Sequence, residues 1–213
     1  DGGGGGGGGW TTVDSGGAKR VLLTTNTNFP ESAVSDVARG HLCSTVKRRG
    51  APASSTLEPF WALSLDIGAA AVTTVSAAVA AQLTKEQVGG VRDEKGGGTM
   101  MASVVRSLSR LPPLLVLHLK RFVFDVKKGV RAARKLHKRV AYGATLRLDA
   151  GVTDADVGAG GAAYALRSVV CHHGQSMRGG HYTAYVRTAA AGGTAGVWVH
   201  CDDAALRVVD EAE

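Results

Sequence analysis

Seven histidines and three cysteines carry most of the chemistry open to this 213-residue sequence, and the densest set lies near its C-terminal end. GGHYTAYV, residues 179–186, sets His181 behind Gly179 and Gly180, and WVHCDD, residues 198–203, brings His200, Cys201, Asp202 and Asp203 together. An imidazole titrates near neutrality, so it can accept a proton from a thiol or hydroxyl, ligate a metal, or serve as a polar residue at the mouth of a strand. Each role requires different neighbours.

Residues 180–187 and 197–201 alternate like strands on either side of the loop TAAAGGTAG, residues 188–196, and read as an antiparallel hairpin. If Arg187 faces Gly196, then His181 faces Asp202, Thr183 faces His200 and Tyr185 faces Trp198. Side chains opposed in this way have Cβ atoms about 4.5–5.5 Å apart. A slip of one residue would bring Asp203 into register from the wrong face, which favours Asp202. A carboxylate so placed fixes the ring tautomer and stabilises the imidazolium that forms when the other nitrogen takes a proton. The same pair at an exposed strand end is also a surface ion pair worth a fraction of a kcal/mol, and spacing does not separate the two. The paired glycines let another backbone approach closely.

A base needs a nucleophile to activate. Cys171 lies ten residues before His181 on a neighbouring predicted strand, and Cys201 points to the face opposite Asp202. His172 and His173 follow Cys171 and raise a metal site with His181 and His200, but HxxxH and CxxC spacings are absent. A buried strand cysteine is the commoner case. With Cys43, Cys171 and Cys201 scattered and odd in number, no disulfide framework is expected and a reducing compartment suits the chain.

The elements that must position these residues are mostly strands. Residues 41–48 and 60–67 (FWALSLDI) alternate with period two and are expected to pair antiparallel, with Leu63, Leu65 and Ile67 on one face. Thr74 is a candidate N-cap for a short helix carrying Val75, Val79 and Leu83, stopping before Gly89 and Gly90. A polar turn at 92–98 and a strand at 100–108 follow. LPPLLVLHLKRFVFD, residues 111–125, is the strongest strand signal, starting near Leu114 because Pro112 and Pro113 can only precede such a strand or sit at its edge. A turn at 127–129, a short strand at 146–148, a loop at 151–161 and strands at 164–171, 180–187 and 197–201 complete the pattern. Residues 1–18, with eight consecutive glycines, read as a disordered linker, and 19–213 as one domain.

Composition bounds the partners. At 44% hydrophobic but 5% aromatic, any core must be built from Val, Leu and Ala. No apolar run of membrane-spanning length exists, so no membrane partner is expected. The formal charge is +7, and about a third of the 25 Lys and Arg residues lie in residues 120–139, where nine of them meet the single acid Asp125. That cluster reads as a solvated basic hairpin, with a nucleic-acid surface as the alternative.

Taken together, LPPLLVLHLKRFVFD, YALRSVVCHHGQSMRGGHYTAYV and WVHCDD resemble the C-terminal half of the ubiquitin-specific protease (ubiquitin carboxyl-terminal hydrolase) family of cysteine deubiquitinases. STLEPFWALSLDI looks like the fingers and palm of that family, and the similarity runs from about Gly40 to the last residue, most of all to the subgroup of ubiquitin carboxyl-terminal hydrolase ten. The resemblance implies an α+β, papain-like cysteine protease fold, partial here, with an antiparallel palm sheet and fingers but no counterpart of the N-terminal thumb. It implies thiol-dependent hydrolysis after the C-terminal glycine of ubiquitin, with ubiquitin and ubiquitinated proteins as partners, no cofactor, no metal, no nucleic acid and no membrane, in the cytoplasm or nucleus.

By position, His181 matches the family's base, Asp202 the residue that orients it and Asp203 a second acid at the oxyanion or substrate tail. Residues 174–180 match a loop gating the channel, where Gly174, Gly179 and Gly180 would let ubiquitin's Gly-Gly tail pass and Tyr182 would line the wall. The departures are equally clear. No GNTCYxN-like block supplies a nucleophile, and VLLTTNTNF holds no cysteine. A closing strand beyond the paired aspartates is expected to be absent, and Cys43 alone cannot make a zinc finger. The resemblance therefore implies a fragment that is inactive alone; the alternative is a catalytically inactive ubiquitin-binding module.

Overall fold

The computed structural model of the chain describes residues 10–15, 18–24, 31–49, 53–92, 98–127, 130–149, 152–153, 161–189 and 196–210. Strands β1 (Trp10–Ser15), β2 (Ala18–Thr24), β3 (Gly40–Arg48), β4 (Ser54–Phe60), β6 (Glu86–Arg92) and β7 (Thr99–Arg110) form a six-stranded sheet in the order β1-β2-β4-β3-β7-β6. In it β2 and β4 are parallel and the other neighbours antiparallel. Helix α1 (Ala33–Ala38) precedes β3. Strands β5 (Leu63–Leu65) and β8 (Leu117–Leu119) pair in parallel. Strands β9 (Phe122–Lys127) and β10 (Val130–Lys135) make one hairpin, and β11 (Thr145–Leu148) pairs with β12 (Ala162–Ala165). The last four strands, β13 (Ser168–Ser176), β14 (Gly179–Arg187), β15 (Trp198–Asp202) and β16 (Ala205–Val209), form an antiparallel meander in chain order. The architecture is α+β with strands dominant, and no helix of the described residues is long and apolar enough to cross a membrane.

The core gathers on helix α2 (Val75–Leu83). Thr74 caps it as the sequence predicts, its Oγ1 accepting from the Ala77 amide at 3.0 Å. Helical spacing then turns Ala78, Val79 and Leu83 toward Leu63, Leu65 and Ile67, with Val72, Leu108, Val140 and Leu148 completing the cluster. The buried members are all aliphatic, while Phe60 and Tyr164 pack only at its edge. Each fully buried aliphatic side chain contributes about 1.5–3 kcal/mol, so a core of this size holds the frame without aromatic anchors.

Several sequence expectations are corrected by this arrangement. Beyond Phe60, which pairs with Gly40 at the end of β4, residues 61–67 do not pair with β3, and β5 turns instead to β8. Pro59 hides β4 in the sequence, yet it is tolerated because β2 pairs only as far as Leu57, leaving β3 as the neighbour there. Residues 111–125 are not one strand. The Leu114 amide donates to Val37 O at 2.9 Å, β8 begins only at Leu117, and the chain breaks at Lys120 and Arg121 before β9. Arg121 explains the break, because its guanidinium donates to Leu136 O and Lys138 O, at 3.3 and 2.8 Å.

Helix α2 ends at Leu83, and Gly89 and Gly90 lie in β6 at a register shift between Val88 and Val91. Residues 164–171 divide between β12 and β13. A strand does follow the paired aspartates, since β16 pairs with β15 along its length. Within the expected linker over 1–18, the β-branched and aromatic run at β1 forms a strand against β2; the glycine tract lies outside the described residues, as do 93–97 and 154–160 in the expected turn and loop.

Candidate active site

The meander sheet joins His181 to Asp202, but not by the expected register. Arg187 pairs with Trp198 and Tyr185 with His200, two positions from the predicted Gly196 and Trp198. The hairpin closes on the Thr188 amide, which donates to Val197 O at 2.9 Å, while the Val197 amide donates to Thr188 Oγ1 at 3.1 Å. A slip of two preserves every face, so Asp202 stays on the side of His181 and is reached diagonally. His181 Nε2 lies 2.5 Å from Asp202 Oδ1.

An ionised carboxylate only accepts, so Nε2 carries the proton and Nδ1 is left with the free lone pair. The His181 pKa is raised above 6.5, first by the hydrogen bond to Asp202, which outweighs an opposing desolvation, and then by the charges of Asp202 and Asp203. The pair can therefore hold a proton delivered to Nδ1, which is the task of a general base.

The strand before His181 is shaped by a β-bulge. His173 pairs with His181 and Ser176 with Gly179, so Gly174 and Gln175 oppose the single residue Gly180. Bulges re-aim the side chains beside them. The expected gating loop at 174–180 is thus a tight hairpin tip, turning at Met177 and Arg178. Its glycines have separate reasons. A Cβ on Gly174 would stand 2.9 Å from Gly179 O, and one on Gly180, whose φ is +157°, would stand 2.2 Å from His172 Nε2. These two are required by the hairpin's own close approach, whereas Gly179 faces open space. Tyr182 is exposed and lies across the His172 ring at 4.7 Å between centroids.

Asp203 occupies the two-residue turn between β15 and β16 with φ +48°, a left-handed conformation that Asp tolerates better than most residues. Among the described residues, His181, Asp202 and Asp203 are the one His/Cys/Asp/Glu set whose donor atoms converge within 4.8 Å. Hydrogen bonding already commits Nε2 and Oδ1 to each other, so the set reads as a proton-transfer pair with an added acid.

Cys171 faces Thr183 across the sheet and Cys201 faces Ala184; neither thiol joins that set. The four histidines raised as a metal group are dispersed: His173 bonds Thr183 Oγ1 at 2.9 Å, His200 lies against Tyr185 and His172 against Phe122. Contacts that spacing did not signal surround His172. Lys135 Nζ lies 3.3 Å from its Nδ1, and 37 residues separate the two in sequence. The basic cluster is partly structural as well, since Lys138 Nζ donates to Ile67 O and Ala70 O, both at 3.3 Å, and to Ala69 O.

A family model described as ubiquitin carboxyl-terminal hydrolase matches residues 16–213. Ubiquitin carboxyl-terminal hydrolase 10-A of Xenopus laevis is 33% identical over 193 residues, covering 89% of this chain and 23% of the relative. Probable ubiquitin carboxyl-terminal hydrolase 3 of Schizosaccharomyces pombe is 34% identical over 186 residues, covering 87% of this chain and 35% of the relative. The chain thus spans about a quarter to a third of these relatives. Among solved structures, the SAGA Ubp8/Sgf11/Sus1/Sgf73 DUB module bound to ubiquitin aldehyde superimposes with a TM-score of 0.70 at 26% identity, over 85% of this chain and 40% of that one. The same module bound to monoubiquitin gives 0.71 at 25% identity, over 85% and 39%.

Proposed function

The chain belongs to the ubiquitin carboxyl-terminal hydrolase family, and from that premise we propose that it supplies the proton-transfer part of a thiol-dependent deubiquitinase. The observation that carries the reading is the His181–Asp202 contact, with Nδ1 left free and the ring pKa raised. His181 Nδ1 takes the proton of a cysteine thiol, and the thiolate attacks the carbonyl carbon of ubiquitin's C-terminal glycine to form an acyl-enzyme. The imidazolium returns the proton to the leaving amine, and the neutral imidazole so restored activates the water that releases ubiquitin. Asp202 holds the ring and stabilises its cation, and Asp203 adds negative charge beside it.

Residues 1–213 contain no GNTCYxN-like block, so the thiol comes from another part of the full-length protein. Gly179, with open space above it, and the exposed Tyr182 border the path of the ubiquitin tail, and Gly174 and Gly180 hold the hairpin tip that narrows it. The partners are ubiquitin and ubiquitinated proteins in the cytoplasm or nucleus, without nucleic acid or membrane. The strands from β1 onward act as one fingers-and-palm unit. Support comes from relatives that carry the hydrolase name over most of this chain and from neighbours solved with ubiquitin.

A second reading, an inactive ubiquitin-binding module, is favoured because no thiol of the described residues joins the His181, Asp202 and Asp203 set. The two separate in one experiment on the full-length protein, using ubiquitin with a C-terminal fluorogenic amide and ubiquitin with a thiol-reactive warhead. Hydrolysis and labelling at a cysteine outside residues 1–213 support the enzyme. Binding without either supports the module, and labelling at Cys171 would overturn the assignment of the nucleophile.

A further inference from the structure

We propose that Lys135 is a positioning residue for His181, acting from the other face of the sheet through the His172 ring and Gly180. The proposal rests on reading His181 as the base. Lys135 ends β10, outside the meander, and its ammonium reaches across to β13. Nζ donates to His172 O and to Gly174 O, both at 2.7 Å, and lies 3.3 Å from His172 Nδ1. Its three N–H donors thereby match three acceptors, and the charge lies 6.0 Å from the centre of the Phe122 ring. Two of the acceptors are carbonyls at the start of the bulge, so one cation fixes both the strand before it and the first bulged residue.

The third acceptor carries the effect to the base. His172 pairs with Tyr182, which places both side chains on the face opposite His181. The ring is held between Phe122, at 5.7 Å, and Tyr182, at 4.7 Å. Its Nε2 edge occupies the space a Cβ on Gly180 would need, 2.2 Å away. The ring thus determines where Gly180 can run, and Gly180 is bonded directly to His181. A shift of the ring is passed to the His181 backbone, and from there to the Nε2 contact with Asp202. The groups facing His181 itself are Asp202, Asp203 and the His173 ring at 6.3 Å.

A positioning role and a simple charge effect have opposite signs. Removing a nearby cation favours protonation of His181 and raises its pKa; loosening its hydrogen bond to Asp202 lowers it. The test is an NMR titration of the His181 imidazole in this chain, with Lys135→Met, Lys135→Arg and Gly180→Ala, folding being followed through resonances of α2 and β3.

The expected result is that Lys135→Met and Gly180→Ala bring the His181 pKa down toward 6.5, while Lys135→Arg, which keeps charge and donors, stays closer to the parent. A pKa unchanged or raised in folded Lys135→Met overturns the proposal. Loss of the folded spectrum in Lys135→Met overturns it too, because Lys135 would then hold the fold rather than aim the base. The titration needs neither ubiquitin nor turnover, so its failure leaves the proposed activity standing. Absence of hydrolysis in the full-length protein would, conversely, leave the titration intact.

Discussion

Leu65 and Ile67 are wholly buried beneath α2, whereas the side chains of His181 and Asp202, on the meander sheet, are 47% and 46% exposed. The first region is aliphatic and closed. The second is polar and open, and it is shaped by a bulge, a glycine at φ +157° and an aspartate at φ +48°. Stability and chemistry are therefore carried by different parts of the chain, and substitutions in one should leave the other nearly unchanged.

The sharpest test of that division is Leu65→Ala. Removing a fully buried leucine costs about 2–5 kcal/mol, read as a lower denaturation midpoint, while the His181 titration in the remaining folded protein should not move. A coupled shift of His181 would show that the two regions are one.

Next comes Asp202→Asn. An amide oxygen can still accept from Nε2–H, so turnover in the full-length protein should fall about 10- to 100-fold, or about 1.4–2.7 kcal/mol, rather than vanish. The same variant has a pH signature. Because the folded pKa of His181 is raised, the charged pair contributes its stability fully below pH 6.5 and loses it as pH rises through the raised value. Asp202→Asn should thus destabilise the chain more at pH 5 than at pH 9, which denaturation at the two pH values would show; an equal cost at both would contradict the pairing.

The smallest effect is expected at Asp203. Asp203→Gly relieves a left-handed φ but adds unfolded-state entropy, so stability should change by less than about 1 kcal/mol. The His181 pKa should slip slightly, since the Asp203 charge is the last of the causes that raise it. A large loss of stability would mean that Asp203 holds the turn.

The same contrast governs what could be read from the sequence. Helix α2, its Thr74 cap and the Leu63, Leu65 and Ile67 face were legible because local periodicity and burial agree there. His181 and Asp202 were also legible as partners, since an error of two in register preserves the faces. The parallel β5–β8 pair was not, because no local signal encodes a partner more than fifty residues away. Nor was the split of residues 111–125, caused by an arginine reaching two carbonyls near β10. The close approaches that Gly174 makes to Gly179 O and Gly180 makes to His172 were not legible either, because room for a ligand and room for a neighbouring strand leave the same sequence mark.

The most direct measurement of the central claim compares the full-length protein with its His181→Ala variant in hydrolysis of a ubiquitin C-terminal fluorogenic amide, alongside ubiquitin affinity and denaturation midpoint. If His181 is the base held by Asp202, turnover falls by about 10³-fold or more, while ubiquitin affinity and stability stay close to those of the parent. Turnover unchanged in the folded variant would contradict the assignment.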